Sequence, residues 1–402
     1  MRRRPTPSST AEAVLLFFAS PFARRQGEEP PAGGTKSIAA CRRPRGAPSG
    51  RPGAAAQAGG RGAIAIPPAG GTPVGLRAAC GTAAVTGVLR IRAYAKINLH
   101  LRIGPRRGDG YHEIDSILHR ISWYDDLELR LRRDGQIRLA VEPAPDAAVP
   151  EADPRAAGAG ASPAAAVQVG GGGVPTGPAN LAWRAARLLQ EACGLSLGAD
   201  IRLVKRIAAG SGLGGGSADA AAVLRALRRL WRVALDAATL RRLAERLGAD
   251  VPFLVGGRAA RVRGKGERIQ PLPAWPGLAV VLVPVQRMVS TAWAYAQWDR
   301  WRPRAAEDGW RPDGGAVAAA VARRDLDALA RLARNDFEPL VAAHVPEVGA
   351  AVDALYREGA VLARMSGSGP AVWGIFAREE AARRACQRLA DAFAGVRLVR
   401  TL

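Results

Sequence analysis

Lysine is nearly missing from this chain: of 58 basic residues only Lys36, Lys96, Lys205 and Lys265 are not arginine, in 402 residues with a net charge of +23. The arginines are scattered over every segment and gather on no single stretch. The positive balance therefore reads as compositional bias, which argues against a nucleic-acid footprint. Where arginine is written almost everywhere, a retained lysine marks a place that needs a compact ammonium and not a planar guanidinium. Cysteine is scarce as well. Cys41, Cys80, Cys193 and Cys386 form neither a paired framework nor a metal-ligand spacing, which excludes a disulfide scaffold and suits a reducing, cytoplasmic compartment. No apolar run approaches the roughly 18 residues of a membrane-spanning helix, the early "AVLLFFA" at 13–19 being short. A soluble protein without a membrane partner is expected.

What the chain does have is length enough for two or three domains of about 100–200 residues each. Residues 1–86 carry twelve basic against three acidic side chains amid Pro, Gly and Ala without periodicity. Too little apolar surface is available there to offset the entropy of ordering, so a disordered tail is expected. A start placed too far upstream is the favoured account, with Val85 or Val88 as the alternative beginning; an Arg-rich targeting peptide is the other reading. From Val88 the pattern changes. In "VLRIRAYAKINLHLRI" (88–103) apolar residues alternate with polar ones, predicting a long strand with one buried face and with Lys96 and Asn98 together on the other.

Alternation on both sides of Asp134-Gly135 predicts a hairpin over 127–141. The Pro/Gly/Ala-rich stretch 143–178 reads as a low-complexity surface insert. A helix is predicted over 179–193 and a strand over 199–207. A second helix follows with Ala220, Val223, Leu224, Leu227, Leu230 and Trp231 at helical spacing and Ser217 as its N-cap. A third spans 237–247. Beyond about 277 come the strand "LAVVLVPV", helical stretches, two strands across a glycine turn in "VLARMSGSGPAVWGIFA", a helix and the strand "VRLVRT". The mixture predicts α+β architecture in two lobes.

The chemistry concentrates in "AAGSGLGGGSADAA", 208–221, where five glycines fall within seven positions before a helix. A dinucleotide fingerprint fits Gly210 to Gly215 literally, but two helices follow in succession and no strand ends in an acidic ribose ligand. A Walker A loop fails because Gly216 stands where lysine is required. A plain turn would need only one or two glycines. The remaining reading is a cradle of backbone N–H groups at the positive end of a helix, which binds an anion, best a nucleoside triphosphate.

With "AYAKINLHLRI", "RRGDGYHEIDSI", "NLAWRAARLL", "GADVPFLVGG", "GKGERIQPLP", "NDFEPLV" and "ARMSGSGPAVWGIF" in this order over 88–402, the sequence resembles the GHMP kinases. It is most similar to their branch that phosphorylates the 2-hydroxyl of 4-diphosphocytidyl-2-C-methyl-D-erythritol in the methylerythritol phosphate route to isoprenoids. The resemblance implies a two-lobed fold, with an N-terminal α/β nucleotide-binding lobe at 87–275 and a ferredoxin-like C-terminal lobe at 276–402. It implies ATP and Mg²⁺ as cofactors, a cytidyl diphosphate sugar alcohol as partner, and a monomer or homodimer.

The same resemblance assigns the acceptor hydroxyl to Asp250 as proton acceptor and Lys96 as its electrostatic support. It gives the nucleotide to Ala208, Ala209, Gly210, Ser211, Gly212, Leu213, Gly214, Gly215, Gly216, Ser217 and Ala218, with the Ser217 hydroxyl as candidate metal ligand. Tyr111 and His112 take the cytosine, by stacking and hydrogen bonding; Asn98 and Thr291 take the rest of the substrate. "SGSG" at 366–369 is implied to close against the nucleotide loop. Without the resemblance, Asp250 is a cap or turn residue, Lys96 an exposed strand cation, Tyr111-His112 a turn with packed side chains, and "SGSG" a hairpin turn. Two departures stand out: Ala208 replaces the usual proline, and Ala218 a second serine. Rival readings are a homoserine or mevalonate kinase, against which "DGYHEI" speaks, and an Arg-rich nucleic-acid binder.

Overall fold

The structure is a computed structural model that describes residues 87–145, 167–168, 174–301, 310 and 312–402; the expectations for the tail and for most of the 143–178 insert lie outside these residues. Two long antiparallel strands, β1 (Val88–Arg106) and β2 (His112–Arg132), form the backbone of the N-terminal lobe. Along the other edge of β2 run β5 (Gly198–Lys205) beside its second half and β6 (Ala259–Gly264) beside its first. β3 (Ile137–Pro143) and β7 (Arg268–Pro271) complete the sheet. A short pair joins β4 (Val167–Gln168) to β9 (Met288–Val289).

Helices α1 (Leu181–Ala192), α2 (Gly215–Leu230), α3 (Ala237–Glu245) and α4 (Val251–Gly256) cover one face of this sheet. The stripe predicted for α2 is buried throughout, from Ala220 to Trp231, because alanines and leucines at helical spacing let it lie close to β1 and to α1.

The C-terminal lobe begins with β8 (Ala279–Val283) and α5 (Thr291–Trp301), followed by α6 (Gly314–Arg323), α7 (Leu326–Leu332), α8 (Glu338–His344) and α9 (Pro346–Arg357). Then come β10 (Leu362–Met365), β11 (Val372–Phe376), α10 (Glu379–Ala390) and β12 (Arg397–Arg400). The strand order β10-β11-β8-β12, all antiparallel, is the ferredoxin-like arrangement. A shared core joins the lobes: Ala95, Ile97 and Leu99 of β1 pack with Val280 and Leu282 of β8 and with Trp373 and Ile375 of β11.

Three expectations change. The segment 127–141 is not a hairpin, because β5 enters between β2 and β3, antiparallel to one and parallel to the other. Alternation shows that a segment is a half-buried strand and is silent on its partner. Secondly, β1 is not open on one face: Lys96 is 4% and Asn98 6% exposed, covered by the glycine loop and the 366–369 turn. Thirdly, Ser217 does not cap α2. The cap position lies three residues earlier, at Gly214 in the left-handed region.

Candidate active site

A cleft of about 800 Å³ runs from the glycine loop past the middle of β1 to the turn before β2. Lys96 occupies its centre. The strand register shifts between Tyr94 and Lys96, and the Lys96 N–H donates to Leu213 O at 3.0 Å, joining β1 to the loop. The ammonium donates to Asn98 Oδ1 at 2.6 Å and to Gly212 O at 2.9 Å, and stands 3.4 Å from Asp250 Oδ2. Two hydrogen bonds and one ion pair thus surround a compact ammonium in a nearly closed site, which a guanidinium fork would not match. Asn98 is oriented in turn, its Nδ2 donating to Ser116 Oγ at 2.8 Å. Asp250 immediately precedes α4 but makes no side-chain cap bond, so its carboxylate faces the cleft and not its own helix.

Of the loop residues, Ala208 to Gly212 and Gly214 to Ser217 line the cleft. Leu213 and Ala218 are buried among core side chains. Gly210, Gly212 and Gly214 all take positive φ, 66°, 78° and 71°, the conformation a nest of converging N–H groups requires. At Gly212 the backbone also passes so near the 366–369 turn that a Cβ would stand 2.0 Å from Ser366 O. Ser366 Oγ donates to Gly212 O at 2.9 Å, and Ala371 N donates to Ser211 O at 3.1 Å. The turn itself is held by buried Asn335, whose Nδ2 donates to Met365 O at 2.7 Å and to Gly367 O at 2.9 Å. Thr291 Oγ1 lies 3.0 Å from Ser368 Oγ at the rim.

At the far end His112 is buried and Tyr111 59% exposed. His112 Nδ1 is 3.1 Å from Gly104 O, and its ring stacks on Tyr295 at 5.2 Å. Nε2 lies 2.9 Å from Asp299 Oδ1, without the alignment of a hydrogen bond. The Tyr111 ring carries the Lys265 ammonium 4.8 Å from its centroid. Desolvation, with the Asp250 carboxylate adding to it, pushes the Tyr295 phenol up to about 12, so it stays a neutral lining group.

Sequence reasoning gave no role to the cluster behind the loop. Lys205 Nζ donates to Asp125 Oδ2 at 2.6 Å and to Asp219 Oδ2 at 2.8 Å, with both carboxylates buried. Asp125 Oδ1 also accepts from the N–H of Arg206 and of Ile207 at the loop entry. Burial opposes the Lys205 charge, yet Asp219 and Asp125 hold its ammonium above the ordinary range. Burial likewise pushes the Asp219 carboxyl up to about 7, against the pull of Lys205. The signal was available: Lys205 is one of the four lysines the chain retains.

A glycine nest at a helix start, facing a buried lysine and a part-exposed aspartate in a cleft between two such lobes, is the arrangement of a GHMP kinase. The profile of the GHMP kinases N terminal domain matches residues 180–258 and that of the GHMP kinases C terminal matches 317–395. Within that superfamily the chain belongs to the 4-diphosphocytidyl-2-C-methyl-D-erythritol kinase family. It is 40% identical to the kinase of that name from Symbiobacterium thermophilum over 78% of this chain and 100% of the relative. Identity to that from Pelotomaculum thermopropionicum is 39%, over 75% of this chain and 93% of the relative. A crystal structure of 4-(cytidine 5'-diphospho)-2C-methyl-D-erythritol kinase, 33% identical, superposes with a TM-score of 0.58 and covers 78% of this chain and 99% of that one. Homoserine kinase from Cytophaga hutchinsonii, 20% identical, reaches 0.58 over 80% of this chain and 96% of its own, a likeness of fold alone. This chain is a small-molecule kinase that uses ATP. No described helix is long and apolar enough to cross a membrane.

Proposed function

We propose that the chain transfers the γ-phosphoryl group of ATP to the 2-hydroxyl of 4-diphosphocytidyl-2-C-methyl-D-erythritol, giving the 2-phosphate and ADP. The observation that carries the reading is one cleft lined by the glycine nest, by the Lys96–Asp250 pair and by Tyr111 with His112. The triphosphate lies along the N–H groups of 210–217, at the positive end of α2. The hydroxyl oxygen attacks the γ-phosphorus, the bond to the β,γ-bridging oxygen breaks, and the hydroxyl proton passes to Asp250. Lys96 orients that carboxylate and offsets the negative charge gathering on the transferred group. Tyr111 stacks on the cytosine and His112 hydrogen-bonds it, while Asn98 and Thr291 contact the remainder.

Among the described residues no group of three His, Cys, Asp or Glu gathers as a ligand set. The Ser217 hydroxyl, together with the phosphates of ATP, would hold Mg²⁺, which would neutralise charge on those phosphates. The enzyme works in the cytoplasm as a monomer or homodimer, with a nucleotide lobe at 87–275 and a second lobe at 276–402. ADP release in a coupled assay tests the reading. Turnover is expected with the cytidyl substrate and not with homoserine or mevalonate; turnover of either of those in its place would overturn the acceptor assignment.

A further inference from the structure

At the opposite end of α2 from the glycine nest lies a second basin, also of about 800 Å³, between the end of α2, the start of α3, the end of α4 and the β6–β7 hairpin. The 16 residues of α2 put about 24 Å between the two ends, at roughly 1.5 Å rise per residue. Six arginines line this basin, Arg225, Arg228, Arg229, Arg232, Arg241 and Arg258, and among the described residues no carboxylate does. Other arginines of the chain sit against acids, among them Arg132–Asp200 at 2.9 Å, Arg202–Glu142 at 2.6 Å and Arg388–Glu358 at 2.6 Å. Compositional bias explains arginine everywhere and does not explain six lining one hollow without a carboxylate among them.

The helix dipole accounts for Arg228 and Arg229, which lie in the last turn of α2, and leaves the other four unexplained. Beneath them Arg120 is 9% exposed, with its Nε unpartnered, and its guanidinium lies 5.9 Å from the Phe253 ring. Burial, then repulsion from Arg225 and Arg258, lowers Arg120 to about 10; burial and Arg229 lower Arg225. Like charges held this close cost free energy until an anion joins them. The lining is not wholly polar: Val255, Ile269 and Leu272, all half-buried, contribute an apolar part.

We propose that this basin is a second ligand site, for an amphiphile that joins a short apolar chain to a diphosphate head. The arginines take the head by charge and bidentate hydrogen bonds, and the apolar part takes the chain. The hollow suits a small molecule, since it encloses a volume like that of the catalytic cleft. The site is independent of the acceptor assignment and uses none of the residues placed in the catalytic cleft.

The test is calorimetric binding of geranyl diphosphate, inorganic pyrophosphate and geraniol to the full chain, to an Arg229→Ala/Arg241→Ala variant and to a remote Arg383→Ala/Arg388→Ala control. The expected result is that geranyl diphosphate binds about tenfold or more tighter than either half, a difference of roughly 1.4 kcal/mol. The basin variant should weaken it about tenfold, the control should not, and kcat and KM without the amphiphile should be unchanged. Four results would overturn the proposal: no binding, equal weakening in both variants, binding untouched by the basin variant, or pyrophosphate binding as tightly as geranyl diphosphate. Vesicles of anionic phospholipid that bind the parent but not the basin variant, with geranyl diphosphate unbound, would make the basin a membrane-facing surface and overturn it as well.

Discussion

Lys96 Nζ stands 3.4 Å from Asp250 Oδ2, and the two come from a strand and from the start of a helix far apart in the chain. The lysine side chain is 5% exposed and the aspartate 32%, so one is fixed and the other reaches the cleft. Asp250→Asn keeps the shape and removes the carboxylate proposed as the proton acceptor. We expect kcat to fall by about 10²–10⁴, with KM for ATP nearly unchanged. Lys96 keeps Asn98 and Gly212 as acceptors in that variant, so the melting temperature should hold. A fall in affinity for ATP as large as the fall in kcat would place Asp250 in nucleotide binding instead.

The loop glycines should not be equivalent. Gly212→Ala puts a Cβ 2.0 Å from Ser366 O at a φ of +78°, a clash with backbone on top of left-handed strain. At Gly216 the nearest atom to a Cβ is a Leu181 methyl at 3.6 Å, which is ordinary contact. Gly212→Ala is expected to lose activity and about 2–4 kcal/mol of stability, and Gly216→Ala less than about 1 kcal/mol. Denaturant titration of both variants decides; equal losses would mean that the loop and the turn are not in contact.

How far was this site legible? The loop, α2, the strand carrying Lys96 and the two-strand turn at 366–369 followed from periodicity and glycine spacing, because those are local signals. The β2–β3 hairpin failed because the partner of β3 is set by β5, some sixty residues later, and no local pattern encodes that insertion. Ser217 looked like a cap because a hydroxyl before an apolar stripe usually is one. Glycine in the left-handed conformation started the helix earlier, without a side chain. β6 and β7, with few apolar residues, gave no alternation strong enough to read.

Asp219 gives a pH signature. Its carboxyl rises from 3.8 to about 7 in the folded chain, so the folded state holds a proton that the unfolded state has released. Stability should therefore fall as pH climbs from about 4 to about 7. Asp219→Asn lacks that titration, so its melting temperature relative to the parent should rise across the same window, by roughly 2–4 °C per kcal/mol recovered. A constant difference from pH 4 to 8 would show that Lys205 keeps the carboxylate charged throughout.

At the other end of the cleft, His112→Ala removes a buried ring stacked on Tyr295 and 3.1 Å from Gly104 O. We expect KM for the cytidyl substrate to rise about tenfold or more and KM for ATP to stay within about twofold. Initial rates with each substrate varied in turn separate the two; equal effects on both would point to general loosening of the cleft.

The carbonyl of Gly212 accepts from Lys96 on β1 and from Ser366 on the turn after β10, each at 2.9 Å. One peptide oxygen is thereby answered by both halves of the chain, and neither half alone supplies the whole geometry of the loop. Recombination between relatives at the lobe boundary would exchange one clamp while keeping the other, so the halves are inherited as a matched set and not as interchangeable cassettes.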